Sequence, residues 1–335
     1  MTGAPHRDTR SVDPPGGAAP HRDTRNVDVH PAGRRYAPET IASGLAFPEG
    51  PVVLPDGSVA VVQVAADLIT VFGAQGRRRD LACPGGPNGM ALESDGEHLV
   101  VCLNGGLSFT REGPGRLMPG IAQDAAARGG LVRMSLSTGD LEALIEPGAG
   151  SPTSGPNDVA WSPADSIGGE GVWFTDLGRR LPNSIEPGAI FWRGARGEVV
   201  RAAYPRRGRP NGIALSPDAA TLYVTESLSA QVLAWPVLGP AALGEPRLVH
   251  QFDPPARLDG MAVTAAGNLV VATLVVGALT TVDPTGQVLD RLEVDDPMPT
   301  NVAFGGADGR HLYATLGSTG RLVRLDWPEP GLVLR

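Results

Sequence analysis

Cysteine is almost missing from this 335-residue chain, in which Cys83 and Cys102 are the only two. Two thiols without C-x-x-C spacing cannot form a disulfide framework, and they make a reducing compartment the default. Charge is sparse too: Asp, Glu, Lys and Arg together reach 19%, and 28 basic residues face 36 acidic ones for a net charge of −8. Nucleic acids and anionic membranes need clustered cations to meet their phosphates. The one basic cluster, residues 201–209, is short and reads as a solvated loop, so neither nucleic acid nor a membrane is an expected partner. No apolar run reaches the roughly 20 residues of a membrane-spanning helix. The N-terminus has no apolar leader, and a cytoplasmic location follows as the expectation. Oligomeric state is not legible.

What is abundant is punctuation. The chain holds 45 Gly and 32 Pro against 41% apolar residues, a balance that suits short strands joined by many turns and disfavours helix-rich folds. Residues 1–35 stand apart. The segment from Ala4 to Asp13 returns almost unchanged from Ala19 to Asp28, in a setting that cannot bury a core, and predicts a disordered tail. His6, His21 and His30 are too dispersed along it to make a metal site.

From residue 36 to 335 the pattern is β and repetitive. Six turn-like segments lead into short apolar runs: P-E-G-P-V-V-L at Glu49, P-N-G-M-A-L at Asn88, P-N-D-V-A-W at Asn157, P-N-G-I-A-L at Asn211, L-D-G-M-A-V at Asp259 and T-N-V-A-F at Asn301. Each is followed by a second strand-like run, such as His98-Leu-Val-Val-Cys-Leu or Thr221-Leu-Tyr-Val-Thr-Glu, and then by further runs with turn residues between them. About 300 residues in six units is about 50 per unit, the size of a propeller blade. The fold class predicted is therefore all-β: a six-bladed β-propeller with four antiparallel strands per blade and a central metal site. Residues 111–128 form an insertion expected on a loop at one face of the disc.

In a propeller the equivalent strand of every blade lines the central channel, so equivalent positions converge on the axis. Glu49 and Asp259 would bring two negative charges there, and Asn157 and Asn211 would add neutral carbonyl oxygens. Like charges in a confined site need a compensating cation. An all-oxygen donor set favours a hard divalent ion, Ca2+ first, with Mg2+, Mn2+ or Zn2+ as alternatives. Asn88 and Asn301 read equally well as residues that only shape turns. No G-x-S-x-G nucleophile motif is present, and His98, His250 and His311 fall outside the convergent positions.

The segments Phe47-Pro-Glu-Gly-Pro51, Gly155-Pro-Asn-Asp-Val-Ala160, Pro210-Asn-Gly-Ile-Ala-Leu215, Leu258-Asp-Gly-Met-Ala-Val263 and Thr300-Asn-Val-Ala-Phe-Gly-Gly306 resemble those of the SMP-30/gluconolactonase/luciferin-regenerating-enzyme family. The resemblance runs from about residue 40 to the C-terminus. It implies a metal-dependent lactonase on a six-bladed propeller, acting on a small-molecule lactone. Glu49, Asn211 and Asp259 match the family's metal ligands, and Asn157 matches a position that contacts substrate or serves as a further ligand. Asp259 also matches the proposed general base. Asp176 and Glu226, where inner strands run on from the ligands, are further candidates for substrate contact, and Arg257 is the candidate arginine by its proximity to Asp259. The family's usual Trp after E-G-P is replaced by Val53, and its acidic residue in the next strand by the Val62-Gln63-Val64 stretch, which predicts a different pocket wall. Two other functions stay open on sequence: hydrolysis of other esters or organophosphates at the same metal site, or a binding propeller with a structural metal.

Overall fold

The computed structural model describes residues 29–30, 36–113, 115–124, 126–203 and 209–332. Four-stranded antiparallel sheets follow one another along the chain, each running from an inner strand outward. Blade 1 starts at Pro48–Val53, blade 2 at Pro87–Leu92, blade 3 at Pro156–Ser162, blade 4 at Pro210–Leu215, blade 5 at Arg257–Val263 and blade 6 at Pro299–Gly305. Each inner strand packs against the inner strands of the preceding and following blades, and the sixth returns to the first. The result is the six-bladed β-propeller. Two three-residue 3-10 turns, Val64–Ala66 and Ala74–Gly76, are the helical elements among the described residues, so no helix is long and apolar enough to cross a membrane.

The ring is closed by a strand from before the first blade. Glu39–Ala42 forms the outer strand of blade 6, antiparallel to Arg321–Asp326 with Glu39 opposite Arg324 and Thr40 opposite Val323. The expected tail lies mostly outside the described residues. Within it, Val29–His30 form a two-residue strand parallel to the outer strand of blade 5, a pairing the tail reading did not anticipate.

Why the second strands are apolar on both faces is visible in the packing. Side chains alternate across a strand, and each blade is sandwiched between two others, so both faces are buried. In blade 2, Val101 packs toward blade 1 with Ala60 and Ile69, while its neighbours Val100 and Cys102 pack toward blade 3 with Val172 and Phe174. Trp173 and Trp192, with ring centroids 4.8 Å apart, fill the interface between blades 3 and 4. The core is thus six inter-blade clusters rather than one centre. Full burial of one Leu, Val or Phe side chain contributes about 1.5–3 kcal/mol.

The Asn-Gly and Asp-Gly pairs at Asn88, Asn211 and Asp259 are not turns. They lie inside the inner strands, and every inner strand shifts register beside its polar residue, for example between Pro210 and Ile213 and between Leu258 and Met261. Such bulges re-aim a side chain and leave backbone groups off the ladder. Threonines on the second strands satisfy those groups. The Gly212 N–H donates to Thr225 Oγ1 (2.8 Å), and that hydroxyl donates to the carbonyl of Asp259 in the next blade (2.7 Å). Thr175 likewise accepts from the Asp158 N–H (3.1 Å) and donates to the Asn211 carbonyl.

Candidate metal centre and active site

At one end of the axis the inner strands surround a cavity of about 460 Å3. Its floor carries Glu49, Asn88, Asn157, Asn211 and Asp259, one from each of the first five blades. All four residues predicted to hold a metal therefore meet in one space, and each is at least 93% buried. Asn88, read from sequence as equally consistent with a turn residue, joins them. In blade 6 the frame shifts by one: Thr300 occupies the equivalent position, and its hydroxyl donates to the Pro48 carbonyl (2.8 Å). Asn301 instead stands where blades 1, 2, 4 and 5 have glycine.

That glycine position is a close approach. A Cβ on Gly212 would lie 2.6 Å from the Asp259 carbonyl oxygen, and one on Gly260 would lie 2.0 Å from the Asn301 side chain. Blades 3 and 6 place Asp158 and Asn301 there, and both side chains turn beneath the floor. Asn301 Nδ2 donates to Glu49 Oε2 (3.2 Å) and to Asp158 Oδ2 (3.3 Å). Asp158 is the functional residue that sequence reasoning missed. Its signal was present, since P-N-D replaces the P-N-G of the neighbouring repeats.

Three buried carboxyls in contact without a cation hold their protons tightly. Burial, then the charge of Asp158, pushes Glu49 up to about 8. Burial pushes Asp158 to about 7, and burial with the charge of Glu49 raises Asp259 well above the carboxylate range. A divalent ion would return all three to the ionised form. Asn211 supplies independent evidence of fit. Its Nδ2 donates to Ser227 Oγ (2.9 Å), which turns Oδ1 the other way, and that oxygen is buried without a protein donor. A buried acceptor left open among oxygen-bearing residues fits a hard cation. The surface group Glu93, Asp95 and His98 also brings three potential ligands together, but the Arg133 guanidinium already sits on it, 2.8 Å from Glu93 and 3.0 Å from Asp95.

Asp176 and Glu226 are not among the cavity-lining residues. Asp176 is buried at a loop, accepting N–H bonds from Ser154 (2.6 Å), Gly155 (2.9 Å) and Gly178 (2.8 Å). Glu226 accepts from the Ser229 hydroxyl. A hairpin, Leu107–Arg111 with Leu117–Ala122, begins ahead of the insertion predicted at 111–128 and takes up its first part, and its Leu107 and Pro119 line the cavity. Its Leu117 N–H donates to the Ser318 carbonyl (2.9 Å), and Phe109 packs on Phe47 with centroids 5.2 Å apart. A second small hairpin, Arg180–Leu181 with Ser184–Ile185, borders the same opening.

Residues 47–318 match the family described as the SMP-30/Gluconolactonase/LRE-like region. The chain belongs to this family. Among curated relatives, a 6-deoxy-6-sulfogluconolactonase of Pseudomonas putida is 30% identical over 169 residues, 44% of this chain and 58% of that one. The pentonolactonase XacC of Haloferax volcanii is 34% identical over 137 residues, 40% of this chain and 47% of that one. The chain thus matches about half the length of these relatives. A gluconolactonase structure from Xanthomonas campestris superposes with a TM-score of 0.68 at 22% identity, covering 95% of this chain and 99% of that one. A calcium-binding protein, regucalcin, from Agrobacterium tumefaciens gives 0.68 at 20% identity, covering 91% and 99%. At these identities the superpositions establish the shared fold of the family.

Proposed function

We propose that this family member is a divalent-cation-dependent hydrolase that opens the ring of a sugar lactone. One observation carries the reading: a buried, unpartnered Asn211 oxygen shares a substrate-sized cavity with the buried carboxyls of Glu49 and Asp259, which no cationic side chain pairs among the described residues. Glu49, Asn157, Asn211 and Asp259 would hold the ion, and six to eight irregular oxygen ligands suit Ca2+. When bound, the cation polarises the lactone carbonyl and stabilises negative charge developing on its oxygen.

The chain's own residues supply the rest. Asp259 accepts a proton from the water whose oxygen attacks the carbonyl carbon. The ring C–O bond then breaks, and the departing oxygen takes a proton to leave a hydroxy acid. Asn88, beside the ligands on the cavity floor, offers an amide to the ring, and the hairpin carrying Leu107 and Pro119 limits access of bulk water. The lactonase names of the curated relatives support the reaction class. They differ in whether the lactone carries a charged group, so they leave that choice to the site.

Asp259→Asn keeps size and removes the base. It should retain the far-UV spectrum of the native protein and lose at least about 10²-fold in kcat on aldonolactones; near-normal turnover would remove Asp259 from this role.

A further inference from the structure

Beside the floor, each blade presents the residue two positions before its axial one, at or just before the start of its inner strand. Around the ring these are Phe47, Gly86, Gly155, Arg209, Arg257 and Met298. The tier is segregated. Blades 6 and 1 make it apolar through Met298 and Phe47, blades 2 and 3 leave it open through glycine, and blades 4 and 5 make it cationic through two neighbouring arginines. Arg180, from the small hairpin, joins these two at the cavity wall.

Four arginines line this cavity, but one is already engaged. Arg179 is held by Glu186, with Nε 2.9 Å from Oε2 and Nη2 3.0 Å from Oε1. Arg180, Arg209 and Arg257 have no carboxylate paired with them among the described residues. Arg209 is the most constrained of the three: its Nη1 is buried without a hydrogen-bond acceptor. Its backbone takes a left-handed φ of 65°, fixed by the Ser227 N–H donating to its carbonyl (3.0 Å). An arginine in that conformation carries strain that the surrounding structure must hold. The Asp176 carboxylate accepts N–H bonds from loop amides instead. A partly buried guanidinium with two more lining the same cavity is a receptor for an anion.

We propose that Arg209, Arg257 and Arg180 form an oxyanion subsite, and that the preferred substrate is a sugar lactone bearing a second, anionic group remote from its carbonyl. The inference rests on the lactonase reading for its geometry. With the carbonyl at the floor beside Asp259, one sugar ring spans from that tier to the next, where a terminal carboxylate, sulfonate or phosphate meets the guanidinium groups. Phe47 and Met298 face the opposite, uncharged edge of the ring. Arginine forks bind any of these three anions in bidentate fashion.

Binding tests the subsite without turnover. The probes are the δ-lactams of gluconic and glucaric acid, which resist hydrolysis and differ in a terminal hydroxymethyl or carboxylate, titrated calorimetrically into Ca2+-loaded protein. The glucaric lactam should bind at least about tenfold more tightly, about 1.4 kcal/mol, and added salt should narrow the gap. Arg209→Gln and Arg257→Gln should close it chiefly by weakening the anionic ligand, with Arg209→Lys restoring part. Equal affinities in the wild type, or a preference that survives both substitutions in folded variants, would overturn the subsite. Replacing the carboxylate with a sulfonate in the same series tells a planar from a tetrahedral anion. Gluconolactone turnover by the same sample reports separately on the reaction: a preserved anionic preference without hydrolysis of any lactone supports the subsite and rejects the lactonase.

Discussion

The residues on the axis are unstable company for one another until a cation arrives. Glu49, Asp158 and Asp259 are buried together, and the protonation of the first two moves to about 8 and about 7. In the unfolded chain the same groups ionise in the ordinary carboxylate range. Between roughly pH 5 and pH 8 the metal-free fold therefore binds more protons than the unfolded chain, and stability falls as pH rises. The sign is opposite to that of the surface acids Asp56, Asp80 and Asp218, which hydrogen bonds hold below their usual range and which support the fold once ionised. Chelator-treated protein should accordingly melt at a lower temperature at pH 8 than at pH 5, and Ca2+ should reverse the loss at pH 8. A melting temperature flat across that window and indifferent to Ca2+ would contradict this account of the three acids.

At the scale of elements, the bulged inner strand is what converts a repeat into a site. The bulge frees the Gly212 and Asp158 amides, and a threonine one strand outward takes each amide and passes its own proton to the carbonyl of the next ligand residue. Thr225 thereby couples the positions of Asn211 and Asp259 through the backbone. Thr225→Val, matched in shape, leaves both groups without a partner and should cost about 1–3 kcal/mol, measured as a lower denaturant midpoint at unchanged slope. An unchanged midpoint would mean that the bulge is held by packing alone. This device also marks where the sequence stops being legible. The recurrence of P-N-G and its variants gave the inner strands and the blade count. The same dipeptides resemble turns, and nothing in them states that they sit within a strand.

The whole molecule shows the same division. An unbroken apolar run such as that of Leu99–Leu103 announces a strand buried on both faces, and with six such units in turn-rich sequence the propeller was readable. The closing strand Glu39–Ala42 was not, because E-T-I-A has little pattern and owes its strand to the exposed edge of Arg321–Asp326. At the site, the converging set Glu49, Asn157, Asn211 and Asp259 followed from repeat equivalence. Asp158 did not, because one polar residue per blade had been sought and blade 3 carries two in succession. Asp176 and Glu226 stand at strand ends outside the cavity lining, where loop amides and the Ser229 hydroxyl engage them. Arg257 was flagged by its proximity to Asp259 and Arg209 holds the equivalent place in blade 4, whereas Arg180 needed the structure, since it comes from a separate hairpin. What makes the propeller an enzyme in this account is a single cation held where five inner strands meet. Lactone hydrolysis by protein stripped with chelator, followed by graded return of Ca2+, tests that most directly. The account predicts loss of turnover on stripping and recovery that saturates at about one ion per chain; full turnover in excess chelator, by protein verified to be free of metal, would contradict it.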